Sequence, residues 1–184
     1  MKTRLATTIG AQAALEVYQE LLHQTRLAAD GLARVQKIVW FAEATASPTL
    51  ADAWLGYEQI VQPSGDLGQK MHAAFEHAFA QEAGAVVIIG TDCPALTTDH
   101  LTAAFQALAT HDLVLGPAAD GGYYLLGMKQ LQASLFRDKQ WSTADVLAAT
   151  LADAARLGLR VAQLPVLRDV DTAADLAAWR EGKQ

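Results

Sequence analysis

Ala85-Val86-Val87-Ile88-Ile89-Gly90-Thr91-Asp92-Cys93-Pro94 is a β-branched apolar run bounded by glycine and proline, with an aspartate just past its end. The run is too short for a membrane span and has no polar alternation. It reads as a central parallel strand over 85–90, buried on both faces. In open α/β sheets, ligands bind beyond the carboxyl ends of such strands. Asp92 is therefore a carboxylate where a ligand or a metal would sit, although an aspartate before Cys-Pro also serves simply to end a strand. A second acidic cluster, Asp169-Val170-Asp171-Thr172, lies near the C-terminus. Spaced by two on an extended segment, Asp169 and Asp171 point to one face. There they repel unless a cation or basic group lies between them. Asp171 has a competing role, assisting the start of the last helix beside Thr172. Together the three carboxylates suggest a site for Mg²⁺ or Mn²⁺, hard cations that share oxygen ligands with substrate phosphates.

Working outward, helical and strand patterns alternate. Residues 11–30 form a helix with Leu15, Tyr18 and Leu22 on one face. Strands are expected at 37–42 and 57–61, with an ambiguous stretch at 43–56, and Pro63-Ser64-Gly65-Asp66 is a turn. A helix starts at Leu67, with Met71, Phe75 and Phe79 at helical spacing. Helix 98–109, capped by Thr97 or Thr98, precedes strands at 112–116 and 123–128. The step between those two strands is too short for a helical crossover, so an antiparallel or irregular element is expected there. Ser142 or Thr143 caps a helix to about Leu157, with Gly158 as its C′ residue. Strand 160–166 follows, and Thr172 to Asp175 is a capping box for a final helix to about Trp179. This order predicts a three-layer α/β/α sandwich around a mostly parallel mixed sheet, as one domain over residues 1–184.

Composition narrows the function. The chain has 184 residues, is 52% hydrophobic and carries a net charge of −6 without a basic run. Nucleic acid and anionic membranes are poor partners for such a surface. A lone cysteine, Cys93, excludes an internal disulfide and is read as a buried residue behind Asp92. The first ten residues are polar, and no apolar stretch of about 18 residues occurs, so the expectation is a cytoplasmic protein without a membrane span. The five histidines show no zinc spacing, and neither a phosphate-loop nor a full dinucleotide fingerprint is present.

Three further stretches carry candidate chemistry. In Pro117-Ala118-Ala119-Asp120-Gly121-Gly122-Tyr123-Tyr124, the paired glycines Gly121 and Gly122 permit close backbone approach. Asp120 there is a candidate for acceptor binding or general-base catalysis, with an ordinary Asx turn as the alternative. Ser64-Gly65-Asp66-Leu67-Gly68 opens a helix, where anions bind, although a plain helix cap accounts for it as well. Lys2 and Arg4 can neutralise a diphosphate or lie in a solvated tail.

Gly90-Thr91-Asp92-Cys93-Pro94 and Gly116-Pro117 through Asp120-Gly121-Gly122-Tyr123-Tyr124-Leu125-Leu126-Gly127 resemble motifs of the DUF2064 family, within the GT-A nucleotide-diphospho-sugar transferase superfamily. Gly65-Asp66-Leu67-Gly68 with Met71, Trp141-Ser142-Thr143, and Asp169-Val170-Asp171-Thr172 are similar to further motifs of that family, in the same order, and the resemblance covers nearly the whole chain. It implies a Rossmann-like GT-A fold and a glycosyltransferase acting on a nucleotide sugar donor and a small-molecule acceptor. One branch of the family is linked to arsenosugar biosynthesis. The resemblance also implies Mg²⁺ or Mn²⁺ at Asp92, Asp169 and Asp171, the latter pair being similar to the acidic motif of 2-phospholactate guanylyltransferases. Nucleotidyl transfer from an NTP, or nucleotide binding without catalysis, is the alternative. Lys2, Arg4, Gly65, Asp66, Gly68, Thr91, Gly121 and Gly122 are the expected nucleotide contacts, with Asp92 and Asp120 catalytic. In one respect the chain departs from the family. Family members begin with a hydrophobic strand and a Pro-x-Pro-Gly loop ahead of Lys-Thr-Arg-Leu, whereas this sequence opens at Met1-Lys2-Thr3-Arg4-Leu5. A gap or an open edge in the sheet is expected in consequence, and a homo-oligomer is one way to cover it.

Overall fold

The computed structural model describes residues 3–42 and 52–182. Lys2 and residues 43–51, most of the ambiguous stretch, lie outside them. Helix α1 (Thr3–Ile9) leads into α2 (Ala11–Asp30) and strand β1 (Ile38–Phe41). Strand β2 (Glu58–Val61), helix α3 (Leu67–Ala80) and strand β3 (Val86–Ile89) come next. Then follow α4 (Thr98–Leu108), β4 (Leu113–Pro117), β5 (Tyr123–Met128) and a short 3₁₀ turn at Ala133–Phe136. Helix α5 (Val146–Arg156), strand β6 (Val161–Gln163) and helix α6 (Ala173–Glu181) complete the described chain.

The strands form two sheets. β1 pairs with β2 in parallel, and the larger sheet runs β3-β5-β4-β6. Strand β5 is antiparallel to both neighbours, while β4 and β6 are parallel. β3, β4 and β6 therefore point the same way, and β5 returns between the first two as the short 117–123 connection requires. The expected mixed sheet is present, but it is divided, and among the described residues β3 is not the central parallel strand its apolar run predicts: it ends its sheet, half-buried, with the antiparallel β5 as its partner.

Helices cover both faces of the larger sheet. On one face Val87, Ile89, Val114 and Leu125 pack with Leu101, Ala104 and Leu108 of α4 and with Ala28 of α2. On the other, Leu113, Leu115, Leu126 and Met128 pack with Met71 and Phe75 of α3 and Ala154 of α5. Alternating strand residues thus feed two cores, which is why these strands read as continuous apolar runs. The alternation slips where Gly116 pairs with Leu125 but Pro117 with Tyr123. The extra residue, Tyr124, joins Leu125 on the α4 side.

Three local readings need correction. The opening residues are not a solvated tail: from Thr3 they form α1, whose Leu5 is fully buried against Val17, Leu21 and Val170. Of the predicted face of α2, Leu22 is buried and Tyr18 half-buried, but Leu15 is exposed, and the buried stripe is Ala14, Val17, Leu21, Leu22, Thr25 and Ala28. Ala14, Val17 and Leu21 face Leu5 of α1 and Val170 of the C-terminal segment, which leaves Leu15 outside that contact. Helix α5 begins at Val146, not beside Ser142 or Thr143, because Ala144 is held against the Gly121 turn. Among the described residues, no helix is long and apolar enough to cross a membrane.

Candidate active site

Because β3, β4 and β6 are parallel, their carboxyl ends open on one edge of the sheet. The segments leaving those ends are tied to one another through the backbone. The Val170 N–H donates to the Asp92 carbonyl at 2.9 Å. Leu167 N–H donates to the Pro117 carbonyl at 3.0 Å, and Ala119 N–H to the Leu167 carbonyl at 2.9 Å. The 167–171 segment is thus strapped across the ends of β3 and β4. Val170 is its anchor, buried against Leu5, Ala14 and Val17. The flanking Asp169 and Asp171 are half-buried, as is Asp92.

Cys93 sits beneath this cluster, 2% exposed. Burial, and then the negative charges of Asp169 and Asp92, push its thiol up to about 12. Two carboxylates from distant parts of the sequence therefore act on one sulfur. Tyr124 closes the floor, donating its hydroxyl to the Pro165 carbonyl at 3.1 Å, and burial next to Cys93 raises it to about 12.

Asp120 lies on the exposed turn after β4. Its Oδ1 accepts from the Gly122 N–H at 2.9 Å, so the Asx turn is real and leaves the carboxylate at the surface. Gly121 has φ +91, and a Cβ there would lie 2.0 Å from the Ala144 carbonyl oxygen. The Leu147 N–H completes the clasp, donating to the Gly121 carbonyl at 3.0 Å. The loop that holds Gly121 also carries Trp141, whose indole covers Gly68: a Cβ at Gly68 would fall 2.3 Å from Nε1. Glycine is required at both places by close approach.

The Gly65-Asp66-Leu67-Gly68 stretch is therefore joined to the Asp120 turn through Trp141. The Asp66 carboxylate itself caps α3: Gln69 N–H donates to Oδ1 at 2.8 Å, and the Gln69 side chain accepts the Asp66 N–H at 2.9 Å. The helix-cap explanation accounts for Asp66. Thr91 is half-buried between β3 and Asp92, and Arg4 is exposed on the first turn of α1, one residue before the buried Leu5.

Among the described residues, no three His, Cys, Asp or Glu side chains form a group able to hold a metal by themselves. The donors at hand are carboxylate oxygens, which suit a hard cation. Mg²⁺ and Mn²⁺ are commonly held by one or two carboxylates with water and substrate phosphates. The backbone clasps were not legible from residue types, since any amino acid supplies an N–H or a carbonyl. Trp141 was the one visible sign of the link to Gly68.

The family model described as "Uncharacterized protein conserved in bacteria (DUF2064)" matches residues 24–143. No curated protein matches the sequence. A crystal structure from Desulfovibrio desulfuricans G20, of a protein provisionally named a nucleotide-diphospho-sugar transferase, is 31% identical with a TM-score of 0.93, over 100% of this chain and 81% of that one. The manganese complex of Rv0371c from Mycobacterium tuberculosis H37Rv is 19% identical, with a TM-score of 0.60 over 88% of this chain and 85% of that one. The 4-diphosphocytidyl-2C-methyl-D-erythritol synthase of Anaerococcus prevotii DSM 20548 is 10% identical, with a TM-score of 0.64 over 89% and 86%. At those identities the latter two share the fold alone. With its fold that of the nucleotide-diphospho-sugar transferases and related nucleotidyltransferases, and most of its length matched by one family model, the chain belongs to the DUF2064 family.

Proposed function

We propose that this protein is a glycosyltransferase that uses a nucleoside diphosphate sugar and a divalent cation. The observation that carries the reading is the strap itself: Val170 bonds to Asp92, and Leu167 to the Asp120 turn, at the carboxyl ends of parallel strands. Asp92, Asp169 and Asp171 would hold Mg²⁺ or Mn²⁺ together with the donor's phosphates. The bound cation would offset the charge that develops on the leaving nucleoside diphosphate.

The remaining roles belong to this chain's own groups. Gly121 shapes the turn against Ala144, Gly122 beside it offers backbone to the donor, and Thr91 lines the same edge. Lys2 and Arg4 add positive charge toward the diphosphate, and Gly65, Asp66 and Gly68 shape the wall beside it. Asp120, exposed and with Oδ1 engaged by Gly122, orients the acceptor hydroxyl through its other oxygen and takes its proton.

A second reading is nucleotidyl transfer, favoured by the fold shared with a diphosphocytidyl-methylerythritol synthase. Incubation with nucleotide sugars and with NTPs, each with Mn²⁺ and an acceptor panel, separates the two. Metal-dependent release of a nucleoside diphosphate supports glycosyl transfer. Pyrophosphate release from an NTP replaces it with nucleotidyl transfer, and neither product across the panel leaves a nucleotide-binding role.

A further inference from the structure

The loop between the 3₁₀ turn and α5 faces solvent over most of its length: Gln140, Ser142, Thr143 and Ala144 are all exposed. A segment with so few buried groups is expected to open readily. Yet two of its non-glycine residues, Asp138 at φ 50 and Ser142 at φ 61, occupy the left-handed region, which persists where the surroundings impose it. Two side chains supply that restraint. Trp141 lies on Gly68 and stacks with Phe136, ring centroids 6.5 Å apart. Lys139 is the other.

The Lys139 side chain is charged and only 3% exposed. Its ammonium donates to Asp153 Oδ2 at 2.8 Å and to Thr150 Oγ1 at 2.9 Å, both on α5, and lies 5.8 Å from the centroid of the Trp141 ring. Thr150 is itself buried. Asp153 also meets Arg156, whose side chain is 77% exposed. One carboxylate thus has a buried partner and a solvent-facing one. A buried ion pair is weak evidence for stability, because apolar residues of similar volume often serve as well. What the pair adds is direction, since an ammonium with two fixed acceptors has one place to sit.

From that peg the loop reaches both glycine turns. Two residues on, Trp141 covers Gly68 at the start of α3. Five residues on, Ala144 sits against Gly121 in the turn after β4, and the Leu147 N–H fastens the Gly121 carbonyl at 3.0 Å. On the transferase reading, we propose that Lys139 is a positioning residue of the donor site. Its buried bonds to Asp153 and Thr150 hold Trp141 over Gly68 and Ala144 against Gly121, and so fix the distance between the two turns that flank the donor. In this role Lys139 touches no substrate and acts through Trp141 and Ala144.

The test titrates UDP, GDP, CDP and ADP with Mn²⁺ into the parent and three variants, each well below its Tm. Lys139→Met removes the ammonium and is expected to weaken Mn²⁺-dependent binding about tenfold. Arg156→Ala removes only the exposed partner of Asp153 and should bind like the parent. Lys139→Met combined with Asp153→Leu replaces the pair by apolar groups. Its Tm should recover toward that of the parent, while affinity stays low because no directed bond has returned. Affinity that recovers with Tm would give Lys139 a structural role only and overturn the inference. Parent-like affinity in Lys139→Met, or an equal loss in Arg156→Ala, would overturn it too. If Lys139→Met does not fold, the double variant decides: weak binding supports the inference and parent-like binding overturns it. Absence of Mn²⁺-dependent binding in the parent is a different result, which refutes the transferase reading and the positioning role with it.

Discussion

The Val170 N–H lies 2.9 Å from the Asp92 carbonyl, and this one bond joins residues 78 positions apart just past the carboxyl end of β3. It makes neighbours of two acidic stretches that the sequence keeps separate. The bond is between backbone groups, while the Val170 side chain is 1% exposed and anchors the strap to α1 and α2. Position and stability are thus carried by different atoms of one residue.

Val170→Ala should separate these roles. Removing two buried methyl groups is expected to cost about 1–3 kcal/mol, read as a fall in Tm of roughly 2–4 °C per kcal/mol. The backbone bond survives, so affinity for Mn²⁺ with a nucleoside diphosphate should stay near that of the parent. Lost affinity at unchanged Tm would contradict the anchor role.

Gly121→Ala and Gly68→Ala should rank in a set order. At Gly121 the new methyl meets the Ala144 backbone carbonyl, and φ is +91 besides. At Gly68 it meets the Trp141 side chain rather than backbone. Overpacking costs about 1–3 kcal/mol, and the left-handed backbone adds about 1 kcal/mol or more at Gly121. Thermal melts should therefore show the larger loss for Gly121→Ala, while Gly68→Ala shifts tryptophan fluorescence. The reverse ranking would mean that the 141–147 loop yields easily.

Acid should weaken the β4–β6 junction. The Arg160 side chain and backbone N–H donate to Asp112, holding its carboxyl down at about 2. A carboxyl lowered in the folded state contributes stability above its unfolded value of about 4, and loses it as pH falls through the folded one. Asp112→Asn should thus lower Tm at pH 7, with the gap to the parent closing between about pH 4 and pH 2. A gap independent of pH would assign the effect to packing instead.

Cys93 should be inert in the native protein. Burial to 2% exposure puts the thiol out of reach of solvent reagents. Alkylation at pH 8 should be slow when folded and rapid in denaturant, and comparable rates would show that the floor of the site opens.

Much of this was legible in the sequence. The run Val86–Ile89 and the alternation around it gave the layers, and the 117–122 turn foretold the antiparallel β5, because loop length alone forbids a crossover. Thr97 and Thr172 mark helix starts by local chemistry, and both head capping boxes. Tertiary context decided the rest. Leu15 has the residue type of a core position and is exposed, because α1 covers the other side of α2. Ser142 has the residue type of a cap, but the Gly121 clasp delays the helix to Val146. The proximity of Asp92 and Asp169 depended on a backbone bond that leaves no mark on residue type.

The most direct measurement is isothermal titration of UDP, GDP, CDP and ADP into the protein, with and without Mn²⁺, repeated on Asp92→Asn. The account predicts Mn²⁺-dependent binding of one of them, weakened about 10- to 100-fold or more in the variant with Tm unchanged. Binding that is indifferent to Mn²⁺ and to Asp92, or no binding of any of the four, would contradict it.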